Sequence, residues 1–237
     1  QTCALPIYAY NKALAVDPSN DQAKVGVQAA TNAQKDTIVA EKYGSGGAKF
    51  KAGDYDGAIA DFLAVLKVNP NDPDTLFSLG ASYQAKKDFD NAIKCYQQAL
   101  AINPKSQQFK DALEQAYVKK AEPIIAAAVE KHKAKDYDGA IAGYTQALQI
   151  TPNNAALWYN IASAEYAKQE YNRAKDAYLK ALGLDPKGQV ADWYLIGAID
   201  ENFNRVPEAL GNYQKYLKEA PTGTYAAAAK ERFAFLS

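Results

Sequence analysis

Apolar residues recur at three- and four-residue intervals along most of this chain, in paired blocks separated by short polar turns. The clearest pair runs from Pro73 to Pro104. Leu76, Leu79 and Tyr83 form one helical stripe, and Ile93, Tyr96, Ala99 and Leu100 form a second. Gly80 and Ala92 are small, so two helix backbones can approach closely there. Lys86-Lys87-Asp88-Phe89-Asp90 is the turn between them, with Asp90 the expected N-cap of the second helix. Asn103-Pro104 closes that helix, because proline cannot continue it and restricts its predecessor. One such hairpin buries too little surface alone, so it predicts stacked neighbours of the same kind.

The motif Leu76-x2-Leu79-Gly80-x2-Tyr83, with Ala92-x3-Tyr96 and Pro104, resembles the tetratricopeptide repeat (TPR). That family's pattern runs W-x2-L-G-x2-Y, A-x3-F, P over about 34 residues. Leu76 stands where the family has its first aromatic. Related blocks follow the same order elsewhere. Ala58-x3-Phe62 and Pro70 precede the best repeat, and Ala140-x3-Tyr144 and Pro152 come after it. Trp158-x2-Ile161-Ala162 with Ala174-x3-Tyr178, and Trp193-x2-Ile196-Gly197 with Ala209-x3-Tyr213, complete the series. The resemblance implies an all-α fold: a right-handed α-solenoid of helix-turn-helix hairpins, with extra single helices and a C-terminal capping helix.

The expected organisation runs as follows. Residues 1–7 have no repeat character; Gln1-Thr2-Cys3-Ala4-Leu5-Pro6-Ile7 resembles translated sequencing-adapter text, and Pro6 falls where a helical alanine belongs. The natural chain is therefore expected to differ before Tyr8 and to continue upstream. Residues 8–38 hold the second helix of a broken repeat and an unpaired or capping helix rich in Ala, Gln and Lys. Residues 39–106 hold two repeats, the first with a weak first helix, since Gly44, Gly46 and Gly47 each cost about 1 kcal/mol relative to alanine. Residues 107–120 form an extra helix without a partner. Residues 121–223 hold three repeats, with Pro123 near the start of the first, where proline is tolerated. Residues 224–237 form a single amphipathic cap. The segment 136–142 nearly copies 54–60, which points to an ancestral duplication of a multi-helix module.

Composition narrows the chemistry. The 237 residues carry 27 Lys+Arg against 27 Asp+Glu, so no basic footprint for nucleic acid or anionic lipid exists. Only Arg173, Arg205 and Arg232 are arginines, which weakens any phosphate-reading role. No apolar run approaches the roughly 18 residues of a membrane span. Cys3 and Cys95 make neither a disulfide framework nor a metal site. Gly44-Ser45-Gly46-Gly47-Ala48-Lys49 lacks the Gly-Lys-Ser/Thr ending and the preceding strand of a phosphate loop. Asp54-x-Asp56-Gly57 lacks the remaining ligands of a calcium loop. His132 is the single histidine and has no second metal ligand nearby in sequence. No catalytic residues, metal site or cofactor are expected, and the chain reads as a non-enzyme.

The TPR resemblance implies a concave face lined by first helices that takes up a partner peptide or helix. One residue after each first-helix lead position stand Tyr43, Phe77, Ile125, Tyr159 and Tyr194, which would form an apolar and aromatic ladder. The other reading is that they pack between adjacent first helices. The places where co-chaperone TPR domains carry a basic carboxylate clamp hold mostly Gly44, Ser78, Ala126 and Asn160, with Ala40, Asp74 and Glu122 one turn earlier, and Asn160 alone fits. A protein-interaction scaffold using apolar contacts is the leading expectation. Self-assembly through exposed ends is a second. A regulatory or targeting segment of a larger, membrane-anchored or enzymatic bacterial protein is a third. The partner's identity, the compartment and the oligomeric state are not encoded in these motifs.

Overall fold

The computed structural model describes residues 4–237, with side chains described from Pro6 onward. The described residues form helices and no strand, and they divide into two compact units, one ending at Tyr117 and the other beginning at Val118. The first unit holds α1 (Ala4–Val16), α2 (Asp21–Lys51), α3 (Tyr55–Val68), α4 (Pro73–Ala85) and α5 (Phe89–Ile102). Helix α6 (Gln107–Lys133) starts in the first unit and ends in the second. The second unit continues with α7 (Tyr137–Ile150), α8 (Ala155–Ala167), α9 (Tyr171–Leu184), α10 (Ala191–Asn202), α11 (Val206–Glu219) and α12 (Ala226–Leu236). Each unit is an α-solenoid stack of helical hairpins. The pairs are α2 with α3, α4 with α5, the end of α6 with α7, α8 with α9, and α10 with α11.

The hairpins repeat one turn. The residue before each second helix's N-cap adopts the left-handed conformation: Gly53 (φ 81°), Lys87 (63°), Lys135 (63°), Gln169 (64°) and Asn204 (56°). The N-cap follows at once. Asp54, Asp88 and Asp136 accept hydrogen bonds from the backbone N–H groups of Gly57, Asn91 and Gly139. Asp88, not Asp90, therefore caps α5, because the left-handed residue at Lys87 ends α4 two positions earlier than the charge pattern indicates. The turn at Phe203–Pro207, which looks irregular in sequence, keeps the same geometry through Asn204, with Arg205 as an N-cap that makes no side-chain capping hydrogen bond.

Alanines make the hairpins close. Ala58, Ala92, Ala140, Ala174 and Ala209 stand at one position of the second helices, and all are completely buried. Facing them, at one first-helix position, are Gly46, Gly80, Ala128, Ala162 and Gly197. A Cβ on Gly80 would lie 2.6 Å from the Tyr96 ring, and one on Gly197 would lie 2.8 Å from Tyr213. At 2.6–2.8 Å the ring would have to move, so these glycines set the hairpin spacing.

Two long helices depart from the expected boundaries. Residues 21–51 form one helix rather than a capping helix followed by a separate first helix. No proline interrupts the span, and its Ala, Gln, Lys and Glu content favours continuation. The glycine run stays helical because Gly46 backs onto Phe62 while Ser45 and Lys49 bond Asp61 of α3. Likewise the expected extra helix at 107–120 and the next first helix are a single helix, with Pro123 in its interior. A mid-helix proline costs about 3 kcal/mol or more. Burial on either side outweighs that cost: Phe109 and Ala116 pack in the first unit, and Ala121 and Ala128 in the second. Of the segment 1–7, Gln1 to Cys3 lie outside the described residues. Pro6 occupies the first turn of α1, where its missing N–H is not needed.

Candidate functional site

Each expected ladder residue has a fixed partner nineteen positions on, at the aromatic of the second helix. Tyr43 meets Phe62 with ring centroids 5.7 Å apart, and Phe77 meets Tyr96 at 5.6 Å. Tyr159 meets Tyr178 at 5.7 Å, and Tyr194 meets Tyr213 at 5.6 Å. Ile125 packs into the same cluster as Tyr144, at the corresponding place. These contacts position the ladder side chains within their own hairpins. Tyr43 is the most open of the five, at 38% exposure, and the other four are half-buried. Aromatic pairs at such distances contribute about 0.5–1.5 kcal/mol beyond their area.

The ladder is two separate groups. In the first unit Tyr43 and Phe77 lie on neighbouring first helices, linked by a 3.3 Å hydrogen bond between the Tyr43 and Ser78 hydroxyls. Phe77 also stacks on Phe109 of α6 at 5.2 Å, so it packs between elements as well as edging the surface. In the second unit Ile125, Tyr159 and Tyr194 line the first-helix face, with Asn160 half-buried beside Tyr159. Tyr194 is already covered by the chain itself. Tyr225 stacks on it with centroids 4.5 Å apart and planes 5° from parallel, and the Tyr225 N–H donates to the Tyr216 hydroxyl at 2.9 Å. Arg232 of α12 pairs with Glu201 of α10 and holds the cap in place.

The residues directly after the ladder positions are uncharged. Gly44 and Ala126 are exposed, Ser78 is half-buried, and Gly44 and Gly47 have no atom within 4 Å of where a Cβ would stand. Some charged groups are held inside the hairpins. Asp61 of α3 is 4% exposed and bonds Ser45 (2.6 Å), Lys49 (2.6 Å) and Lys42 (3.0 Å) of α2. The Lys49 ammonium and the Ser45 hydroxyl hold its carboxyl well below the usual carboxylate range. Asp200 of α10 is fully buried against Lys175 (2.5 Å), Arg205 (3.6 Å) and Asn212 (3.0 Å). Asp192, also on α10, is fully buried, and neither of its oxygens has a protein hydrogen-bond partner.

The remaining polar candidates are packing groups. The second-helix tyrosines direct their hydroxyls twelve residues back onto the first helix: Tyr96 to Gln84 (3.1 Å), Tyr213 to Glu201 (2.8 Å), and Tyr144 to His132 Nδ1 (3.5 Å). His132 therefore occupies the place of Gln84 and Glu201, and it lies edge-on to Tyr137 and Tyr144. Cys95 is buried beside Phe62 and Leu79, where desolvation pushes its thiol up to about 11. Cys3 lies outside the described residues. Among the described residues no group of three His, Cys, Asp or Glu side chains is placed to hold a metal, and no helix is long and apolar enough to cross a membrane. The nineteen-residue pairing was present in the sequence as a constant spacing. Tyr225 and Asp192 carried no repeat signal that marked them.

Sequence profiles of the tetratricopeptide repeat match residues 73–106 and 131–199, and a further TPR profile matches residues 46–87. Over 80 residues the chain is 32% identical to superkiller complex protein 3 of Mus musculus, covering 30% of this chain and 5% of that protein's length. Similar solved structures include the TPR2AB domain of yeast Sti1 in complex with pHSP90, at 18% identity over 99% of this chain and 98% of that one, with a TM-score of 0.46. The first TPR of Spaghetti (RPAP3) bound to the HSP90 peptide SRMEEVD is 23% identical over 50% of this chain and 90% of its own, with a TM-score of 0.45. MamA is 22% identical over 78% of this chain and 92% of its own, with a TM-score of 0.37.

Proposed function

This chain belongs to the tetratricopeptide-repeat family over residues 46–106 and 131–199, and from that premise we propose that it is a non-catalytic interaction scaffold. Its first-helix faces take up an uncharged, apolar stretch of a partner protein, as an extended peptide or a helix. The observation that carries this reading is the pair of ladder groups, Tyr43 and Phe77 in the first unit and Ile125, Tyr159 and Tyr194 in the second, each side chain held by its second-helix partner, with Gly44, Ser78, Ala126 and Asn160 next to them. Rigid aromatics with one free edge contribute much of the energy at protein interfaces. The residues that follow the ladder positions carry no cation, which disfavours a carboxylate tail as ligand, since such a tail needs paired donors to replace its water.

The ladder rings also pack internally, so removing them would confuse binding with stability. Ser78→Glu and Asn160→Glu place charge beside the ladder instead. The assay is selection of a random displayed peptide library on the wild-type chain, followed by titration of the selected peptides against each variant. Weakened binding with unchanged helical circular dichroism and melting temperature is expected. Equal binding by both variants contradicts the assignment.

A further inference from the structure

Asp192 is out of keeping with its position. It stands two residues before the ladder residue Tyr194. At the corresponding place of the sister repeats Thr75 and Leu157 are also buried, while Glu41 and Pro123 are exposed. Leu157 is apolar, and Thr75 gives its hydroxyl proton to Asp72. Where the sister repeats bury this place, the side chain is neutral. A buried ionised carboxylate without a partner costs several kcal/mol, so such a group takes up a proton instead. The other deeply buried aspartates show the contrast, since Asp61 and Asp200 each sit among cations and donors.

The groups around Asp192 offer no counter-charge. Tyr159 of α8 and Tyr178 of α9 are the titratable side chains that feel it. Of the cations of α9, Lys175 pairs with Asp200, Lys180 lies over the Trp158 ring at 4.2 Å, and Arg173 is exposed. On α11, Tyr213 bonds Glu201 and Lys215 covers the Trp193 ring at 4.2 Å. Desolvation pushes the Asp192 carboxyl up to about 7. The location also matters. One apolar cluster runs from α6 through α9 to α10, and a second joins α10, α11 and α12; Trp193, the next residue, packs against both.

We propose that Asp192 is a proton-operated latch at the seam between hairpin α8/α9 and the C-terminal α10–α12 group. Neutral, it lets α10 seat on α8 and α9. Ionised, it loosens that seat, while α10–α12 stay joined through the Tyr194–Tyr225 stack and the Glu201–Arg232 pair. Opening uncovers Tyr159 and Tyr178, so protonation state controls access to part of the first-helix face. This consequence rests on the interaction reading above; the latch itself does not.

The test uses the intact chain. Thermal melts are recorded at about pH 5.5 and about pH 8.5 for wild type, Asp192→Asn and Asp192→Leu. The wild type is expected to melt higher at the acidic pH, Asp192→Asn to lose most of that difference, and Asp192→Leu to melt above wild type at pH 8.5. The Asp192→Asn comparison separates the Asp192 contribution from that of every other group. Hydrogen exchange of α10–α12 amides, corrected for intrinsic rate, is expected to speed up roughly tenfold or more across the interval, one unit of carboxyl shift being tenfold in population. An Asp192→Asn variant that keeps the full wild-type difference overturns the proposal. Should the variants fold poorly, a carboxyl carbon-13 titration of the wild type decides alone. A midpoint near neutrality supports the latch, and an ordinary aspartate midpoint rejects it.

Discussion

Three glycines within four residues of α2 are expected to respond to the same substitution with opposite signs. Gly44 and Gly47 face open space, with nothing within 4 Å of a new methyl group. Alanine there gains about 1 kcal/mol of helix propensity at each site. Gly46 is buried, and its new Cβ would stand 2.8 Å from Phe62 Cε1 and 3.0 Å from two further ring atoms. The Phe62 ring cannot swing freely, because Tyr43 lies edge-on to it at 5.7 Å. Overpacking of this kind costs about 1–3 kcal/mol, which cancels or exceeds the propensity gain. Gly46→Ala is therefore expected to be neutral to about 2 kcal/mol destabilising. Ala128 and Ala162 stand at the same position in the second unit. Urea unfolding followed by helical circular dichroism separates the cases. Gly44→Ala and Gly47→Ala should raise the midpoint, and Gly46→Ala should leave it unchanged or lower it. Equal stabilisation by all three would refute the close-approach reasoning.

Three further outcomes are expected. Asp61→Asn should cost about 1–3 kcal/mol near neutral pH through loss of charge-assisted bonds to Lys42 and Lys49. The folded carboxyl of Asp61 is depressed, so its stabilisation is present above the unfolded value near 3.9 and disappears as pH falls below it. The gap between wild type and variant should therefore shrink in acid, and a gap that persists unchanged at about pH 3 would contradict the pairing. Lys87→Gly should stabilise by about 1 kcal/mol, since a non-glycine residue at φ 63° carries steric strain that Gly53 avoids at the sister turn; a lower melting temperature would count against it. Ala92→Leu should destabilise by about 1–3 kcal/mol, because Ala92 is completely enclosed with Ile93, Tyr96 and Ala116 around it. A neutral melt would mean that α4 and α5 do not pack through this alanine.

The functional reading was legible in part. The ladder positions Tyr43, Phe77, Ile125, Tyr159 and Tyr194 follow from the repeat spacing, and so do the neutral residues beside them. Their degree of availability does not follow. Phe77 gives one face to Phe109, and Tyr194 is stacked by Tyr225, thirty-one residues away in a segment with no repeat signal of its own. His132 looked isolated in sequence because its partner, the Tyr144 hydroxyl, lies on another helix.

Helices, turns and their order depend on neighbours three to four residues apart and on the backbone preferences of single residues. The amino-acid sequence alone therefore determined the all-α class, the hairpins from Ala58 to Tyr213, and the small residues that bring their helices together. Continuity through Pro123 was decided only by tertiary structure, because burial of Phe109, Ala116, Ala121 and Ala128 outweighs a local cost that sequence rules read as a stop. The same holds for Gly46 against Gly44, where the ring of Phe62 on another helix makes one glycine necessary and leaves the other optional. It holds for Asp61 against Asp192: both are buried aspartates, yet one meets two ammonium groups and the other meets no donor at all. Charge, ring stacking and steric fit act through space over a few ångströms, and which residues come that close is settled only when the hairpins are stacked.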